Sequence, residues 1–275
     1  MALLHVTDPH FEFLPRAKVV AFGATCRAEA ERAGAEVLVM TGDVSTAARC
    51  DADMGAFLEG LGDGVLVAAV RGNHDFYGSS LAEVRRPRAP AAGARDARAP
   101  FEETSRVLRD GTHLVCVDGW YDFRCGSEAC TRIEMSDWHL IDELRGLPRD
   151  ALVEVCRSLA VDSVRLAANG LARGLVGPRA AGTSRRMVVA THVPPFLECA
   201  LAPDGRPSDA DWAPIMVNVA LGDALRDFAA QRPEVDLLVL CGHTHTACDR
   251  RVAHNLRVVV GPADYGSAFV RVVSW

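Results

Sequence analysis

Eight side chains in this 275-residue sequence are of types that hold metal ions or move a proton, and they fall in five short groups. The groups are Asp8-Pro9-His10, Gly42-Asp43, Gly72-Asn73-His74-Asp75, His192-Val193-Pro194-Pro195 and Gly242-His243-Thr244-His245. Two carboxylates, an amide oxygen and several imidazoles make a mixed oxygen and nitrogen set, which suits Mn²⁺, Fe or Zn²⁺ better than Ca²⁺. Asp8 and His10 are one residue apart, as are His243 and His245. In extended backbone such pairs point the same way, about 7 Å apart at Cα, so that both side chains converge on neighbouring metals. Gly42, Gly72 and Gly242 each precede a candidate ligand and allow a tight turn with close backbone approach. Taken singly, each group has a plain structural reading, as a turn or a satisfied core histidine. Their conjunction is the signal, for five of the nine histidines lie inside them.

Such residues can meet only if the fold carries them to one place. Short apolar, β-branched runs end at each group: Ala2 to Val6, Val37 to Met40, Val65 to Val70, Met187 to Ala190 and Leu237 to Leu240. Two further runs, Leu114 to Val117 and Val258 to Val260, read as strands without a ligand at the end. Continuous apolar runs indicate strands covered on both faces, and the helical pattern Ala17 to Ala33 fits a strand-helix-strand unit. The expected fold is a layered α/β sandwich whose site collects outside the carboxyl ends of the strands. We expect a single domain over 1–275 with two inserted segments. Residues 79–105, rich in Ala, Arg and Pro, read as an irregular loop. Residues 121–186 carry helical patterns at Asp137 to Leu144 and Arg149 to Ala172 and read as a small helical cap insertion.

These blocks resemble the calcineurin-like metallophosphoesterase superfamily, over residues 8–245. The resemblance implies a four-layer α/β/β/α sandwich with a dinuclear metal centre at the strand ends. It places Asp8, His10, Asp43 and His245 on the first metal, and Asp43, Asn73, His192 and His243 on the second, with Asp43 bridging. It makes His74 the acid that meets the leaving group. Three positions after the bridging aspartate, where the family's protein phosphatases carry an acid that orients the catalytic histidine, this sequence has Thr46. Asp75 is an alternative orienting acid, or else a cap for the following turn.

The reaction implied is hydrolysis of phosphoester bonds. Two metals about 3.5 to 4 Å apart acidify a bridging water to hydroxide and clamp the phosphate, while His74 supplies the proton. Small phosphate esters such as nucleotides or cyclic nucleotides are the expected substrates, for a phosphodiesterase or phosphatase, with Mn the expected metal. No residue is assigned to substrate binding. The alternatives are a nuclease or nucleic-acid end-processing phosphatase, and, more remotely, a non-catalytic scaffold, which would be expected to lack ligands. A net charge of −6 argues against a chain-wide grip on nucleic acid. Arg85, Arg86, Arg88, Arg95 and Arg98 read as a solvated segment or a phosphate-attracting loop. Trp120-Tyr121, Trp138 and Trp212 read as packing residues or as shapers of a pocket. No apolar run reaches the roughly 18 residues of a membrane helix, and nine scattered cysteines show no Cys-x-x-Cys pair. A cytoplasmic protein is expected, with Cys125 and Cys130 the one cysteine pair close in sequence.

Overall fold

A computed structural model describes residues 2–86, 101, 105–126, 132–176 and 185–274. The first half runs β1 (Ala2–Val6), α1 (Arg16–Ala33), β2 (Val37–Thr41), α2 (Cys50–Leu61), β3 (Leu66–Val70) and α3 (Leu81–Arg85). It continues through β4 (Ser105–Val107), β5 (His113–Cys116), α4 (Asp137–Leu140), α5 (Arg149–Val176) and β6 (Arg185–Ala190). The remainder is α6 (Ala213–Met216), α7 (Val219–Gln231), β7 (Val235–Cys241), β8 (Cys248–Ala253), β9 (Leu256–Val260) and β10 (Arg271–Ser274).

Two sheets stack face to face, one ordered β10-β1-β2-β3 and the other β4-β5-β6-β7-β9-β8. Alternate residues of β2 show why its run is apolar throughout. Val37 and Val39 face the second sheet, among Leu114, Val188 and Leu238. Leu38 and Met40 face outward, against Val19 and Cys26 of α1 and Phe57 of α2. The far face of the second sheet is covered by α5 and α7, through Ala167, Leu171, Leu221 and Leu225. The result is the expected four-layer α/β/β/α order.

Every strand read from an apolar run is present, and all of them pair in parallel within the two sheets. Three strands gave no such run: β4, β8 and β10. Each is an antiparallel edge strand, only partly buried, so nothing demands a continuous apolar sequence.

In their described parts, the two segments read as insertions carry more regular structure than expected. Within 79–105, α3 is helical because the Ser80 side chain caps it, accepting from Glu83 N at 3.0 Å. Arg85 pairs with Asp118 and Arg86 with Glu83, whereas Arg88, Arg95 and Arg98 lie outside the described residues. Within 121–186, α4 is a single turn, and α5 is a 28-residue helix whose second half lies on the sheet beside α7. That half of the segment expected as a cap is therefore a layer of the sandwich. Its first half packs Leu152, Val153 and Cys156 under Trp120, Tyr121 and Phe123. Trp120 is thus a core residue. Cys125 is a free thiol, and its sequence neighbour Cys130 lies outside the described residues.

Candidate metal centre

All eight residues singled out in the sequence sit at the carboxyl ends of β1, β2, β3, β6 and β7, and the two sheets bring them together. The turns interlock through their backbones: Asp8 N donates to Gly42 O and His10 N to Asp43 O, both at 3.1 Å. Carboxylates tie the turns further: Asp8 accepts from His243 N at 3.0 Å, joining one sheet to the other, and Asp43 from His74 N at 2.8 Å within the first sheet. Thr7 Oγ1 donates to Asp8 at 2.5 Å. Two glycines make room. A Cβ on Gly72 would run into Asp43 Oδ1 and the His192 ring, and one on Gly242 into Asp8 Oδ2.

The backbone reaches this convergence differently from the extended pairing expected for Asp8/His10 and His243/His245. All four residues have positive φ, 45°, 44°, 69° and 58° respectively, and Asp43 has 51°. A strand end that must turn its ligands inward does so through left-handed backbone, a conformation that costs L-residues on the order of 1–2 kcal/mol. Among the described residues only one other non-glycine residue, Phe123, has positive φ.

Donor atoms cluster in two lobes. In the first, His10 Nε2 lies 3.1 Å from His245 Nε2 and 3.9 Å from Asp43 Oδ2, and Asp8 Oδ1 lies 3.6 Å from His245 Nε2. In the second, Asn73 Oδ1 lies 3.0 Å from His192 Nε2 and 3.1 Å from His243 Nδ1, and these two nitrogens are 3.2 Å apart. Asp43 Oδ1 is 3.5 Å from His192 Nε2, so its carboxylate reaches both lobes. The ligand atoms of Asp8, Asp43 and His192 also fall within 4.8 Å of one another.

The chemistry of these donors fits cations. His192 gives its Nδ1 proton to Thr41 O at 2.8 Å, and His243 its Nε2 proton to Ile215 O at 2.9 Å. The nitrogens left facing each other then carry lone pairs. The Asn73 amide is turned the same way, because its NH₂ donates to Asp137 at 2.9 Å and to Tyr77 Oη at 3.1 Å. Three acceptors aimed at one point repel unless a positive charge lies between them. The carboxylates also make the potential there negative, which attracts a cation or, in its absence, a proton: burial opposes the charged form of His192, yet Asp43 and Asp8 outweigh it and raise its pKa. Burial likewise opposes charge on Asp8, but the His245 hydrogen bond and the neighbouring histidines hold its carboxyl well below the usual range. The His243 pKa falls to about 4 through burial and His192, keeping its ring neutral.

His74 lies beside the first lobe with its side chain 17 % exposed and Nε2 4.0 Å from Asp43 Oδ2. Burial would lower its pKa, but the Asp43 charge, the Glu12 hydrogen bond and the Asp137 charge raise it to about 9. Asp75 does not orient it. Asp75 Oδ1 accepts from Val44 N and Ser45 N at 3.0 and 3.1 Å, and Oδ2 from Gly72 N at 2.8 Å, so this carboxylate ties the β2 and β3 turns together.

Two acids at the site were not singled out in the sequence. Glu12 Oε1 stands 3.3 Å from His74 Nδ1 and 3.4 Å from His10 Nδ1. Asp137, fully buried, accepts from Tyr77 Oη, Tyr121 Oη and Asn73 Nδ2. Glu12 had a signal, its two-residue spacing from His10. Asp137 had none, since its sequence context reads only as a helix start.

A cavity of about 490 Å³ opens above Asp43, Asn73, His74, His243 and His245. Its walls include Ile133, Met135, Leu201, Trp212, Met216 and Tyr265, with no lysine or arginine among its described lining residues. Trp212 and Tyr265 are 42 % and 54 % exposed, whereas Tyr121 is buried, and Trp138 donates to Tyr121 Oη at 3.0 Å.

A four-layer sandwich with oxygen and nitrogen donors gathered at its strand ends can hold the divalent cations of a metal-dependent hydrolase. The model of the calcineurin-like phosphoesterase family matches residues 1–247, and the chain belongs to that family. It is a hydrolase acting on phosphoester bonds, in a family that implies two divalent metals. Among curated proteins none matches the sequence significantly. A solved dimetal phosphatase from Danio rerio (LOC 393393) is 13% identical with a TM-score of 0.53, over 94% of this chain and 86% of that one, and shares the fold. TT1561 of Thermus thermophilus is also 13% identical, with a TM-score of 0.49 over 95% and 89% of the two chains. Among the described residues no helix is long and apolar enough to cross a membrane.

Proposed function

We propose that the chain hydrolyses small phosphate esters at this centre, with Asp8, His10, Asp43 and His245 holding one cation and Asp43, Asn73, His192 and His243 the other. Mn²⁺ is the metal we assign, from the mixed donor set. Two bound divalent cations supply a nucleophile at neutral pH and neutralise the phosphoryl oxygens. The chain contributes position and a proton. Asp43 spans the two lobes, and His74, held protonated by its acidic neighbours, gives a proton from Nε2 to the departing oxygen. The donor atoms of His10, Asp43 and His74 also lie within 4.8 Å of one another, so a ligand role for His74 is the competing reading, and metal content in His74→Ala separates the two.

The observation that carries the substrate reading is the cavity. A space of about 490 Å³ with apolar and aromatic walls admits one small ester. Its described lining offers no lysine or arginine for a second phosphate or a polyanionic backbone, which disfavours the nuclease alternative. The test is a metal-reconstituted screen across p-nitrophenyl phosphate, bis-p-nitrophenyl phosphate, p-nitrophenyl phenylphosphonate, cyclic nucleotides and short oligonucleotides. Small esters are expected to show the higher kcat/KM, and oligonucleotide binding to be weak. Salt-sensitive oligonucleotide binding with preferred cleavage would establish the nuclease instead, and inertness toward every ester with Mn²⁺ present would leave only the scaffold.

A further inference from the structure

We propose that Glu12 is the positioning residue for His74, doing from the β1 turn what an acid three residues after Asp43 would do, and that the same oxygen fixes the ring of His10. The inference rests on the reading of His74 as the acid.

Three observations converge. First, one oxygen serves two rings: Oε1 faces Nδ1 of both His74 and His10, at 3.3 and 3.4 Å, and the two imidazoles stand edge to face with centroids 4.5 Å apart. Both rings are thereby turned with Nδ1 toward Glu12 and Nε2 toward Asp43. Second, the carboxylate has no other described purpose. Its side chain is only 8 % exposed, and Oε2 is buried without a hydrogen-bond partner. A carboxylate is costly to bury, and here the two imidazoles are what compensate it. Third, its backbone is fixed from several sides. Phe11 N donates to Val44 O at 2.9 Å, Phe13 N to His10 O at 3.0 Å, and Arg49 Nη1 to Glu12 O at 2.8 Å. Asp75, the other acid near His74, is consumed by backbone amides, and position 46 offers only a threonine.

An acid that hydrogen-bonds Nδ1 fixes which ring nitrogen presents a proton to the reaction, and loss of such an orienting partner typically costs about 10- to 100-fold in activity. The benefit is greatest where the leaving oxygen is most basic. Glu12→Gln is therefore expected to lower kcat about 10- to 100-fold on phenyl phosphate, whose leaving group needs the proton. On p-nitrophenyl phosphate, whose leaving group needs it little, the loss should be several times smaller, with KM nearly unchanged for both. Glu12→Asp, which keeps the charge, should restore part of the phenyl phosphate rate. Bound metal, by elemental analysis, should stay at two equivalents.

The second readout needs no turnover. In the metal-free protein, ¹⁵N signals of the histidine rings should show a proton on His74 Nδ1 in the wild type, and Glu12→Gln should shift that signal together with that of His10. Equal losses on both esters with a fall in bound metal would mean that Glu12 acts through His10 alone, and would overturn the proposal. So would an unprotonated His74 Nδ1 in the wild type, a result that decides the matter even if Glu12→Gln does not fold. Should the wild type hydrolyse no ester at all, the proposed function fails, while the ring signals still report whether Glu12 holds His74.

Discussion

His192 and His243 are enclosed and each gives its far ring proton to a backbone carbonyl, whereas His10 depends on a side chain, Glu12, and His245 keeps a quarter of its side chain exposed. The carbonyls of Thr41 and Ile215 are held by the fold itself, so no single side-chain change can remove them. The first lobe has His10 oriented by a side chain and carries His74, the proposed acid, at its edge. One half of the centre thus takes its ring orientation from backbone carbonyls of the core, and the other takes it from a side chain, although His10 is as buried as His192. Asn73 is the exception within the enclosed half, because a side chain, Asp137, sets its amide.

Four substitutions test that division. The largest effect is expected from Asp43→Asn, which spares neither half, since a neutral amide does not bridge two cations as a carboxylate does. Elemental analysis should find both positions depleted and turnover abolished. Full occupancy of two equivalents would contradict the bridge. Next comes His74→Ala, confined to the open edge, with two metals retained and kcat down about 10²- to 10⁴-fold. A variant that loses a metal instead would make His74 a ligand. Asp137→Ala should act on the metals through Asn73, weakening binding of one metal about 10- to 100-fold while the other titrates normally in calorimetry, and it also removes one of the charges that raise the His74 pKa. It also leaves two tyrosine hydroxyls and the Asn73 amide without their acceptor, which costs on the order of 1–3 kcal/mol in denaturant unfolding.

The smallest effect concerns the support behind Thr41. His5 Nε2 meets Thr41 Oγ1 at 2.9 Å between the sheets, and burial pushes the His5 pKa down to about 3. The folded state therefore keeps His5 neutral, while the unfolded chain takes up its proton below about pH 6.5. Stability is lost as the pH falls through that window, by about 2 kcal/mol between pH 6.5 and 5. Denaturant unfolding of the metal-free protein should show His5→Gln losing less than the wild type by that amount, and equal losses would place His5 outside the core reading.

The same division decided what the sequence could reveal. The donors were legible because each follows an apolar run that must be a buried parallel strand, and strand ends in such folds face one side. The partners that orient the donors were harder. Thr41 O and Ile215 O are backbone atoms with no residue-type signature. Asp137 reaches Asn73 from 64 positions away, across a segment whose pattern speaks only of helices. Glu12 was within reach, two places after His10, but polar residues in a turn carry no mark of what they touch. The edge strands β4, β8 and β10 were silent for the reason that they are edges.

The left-handed backbone at Asp8, His10, Asp43, His243 and His245 has one more consequence. At each of these places glycine would suit the chain's contour better than the residue present, so a lineage under pressure to persist as a fold alone has five comfortable exits from its ancestry. Descendants that had abandoned the chemistry would be recognisable by glycines accumulating there while their strands stayed intact.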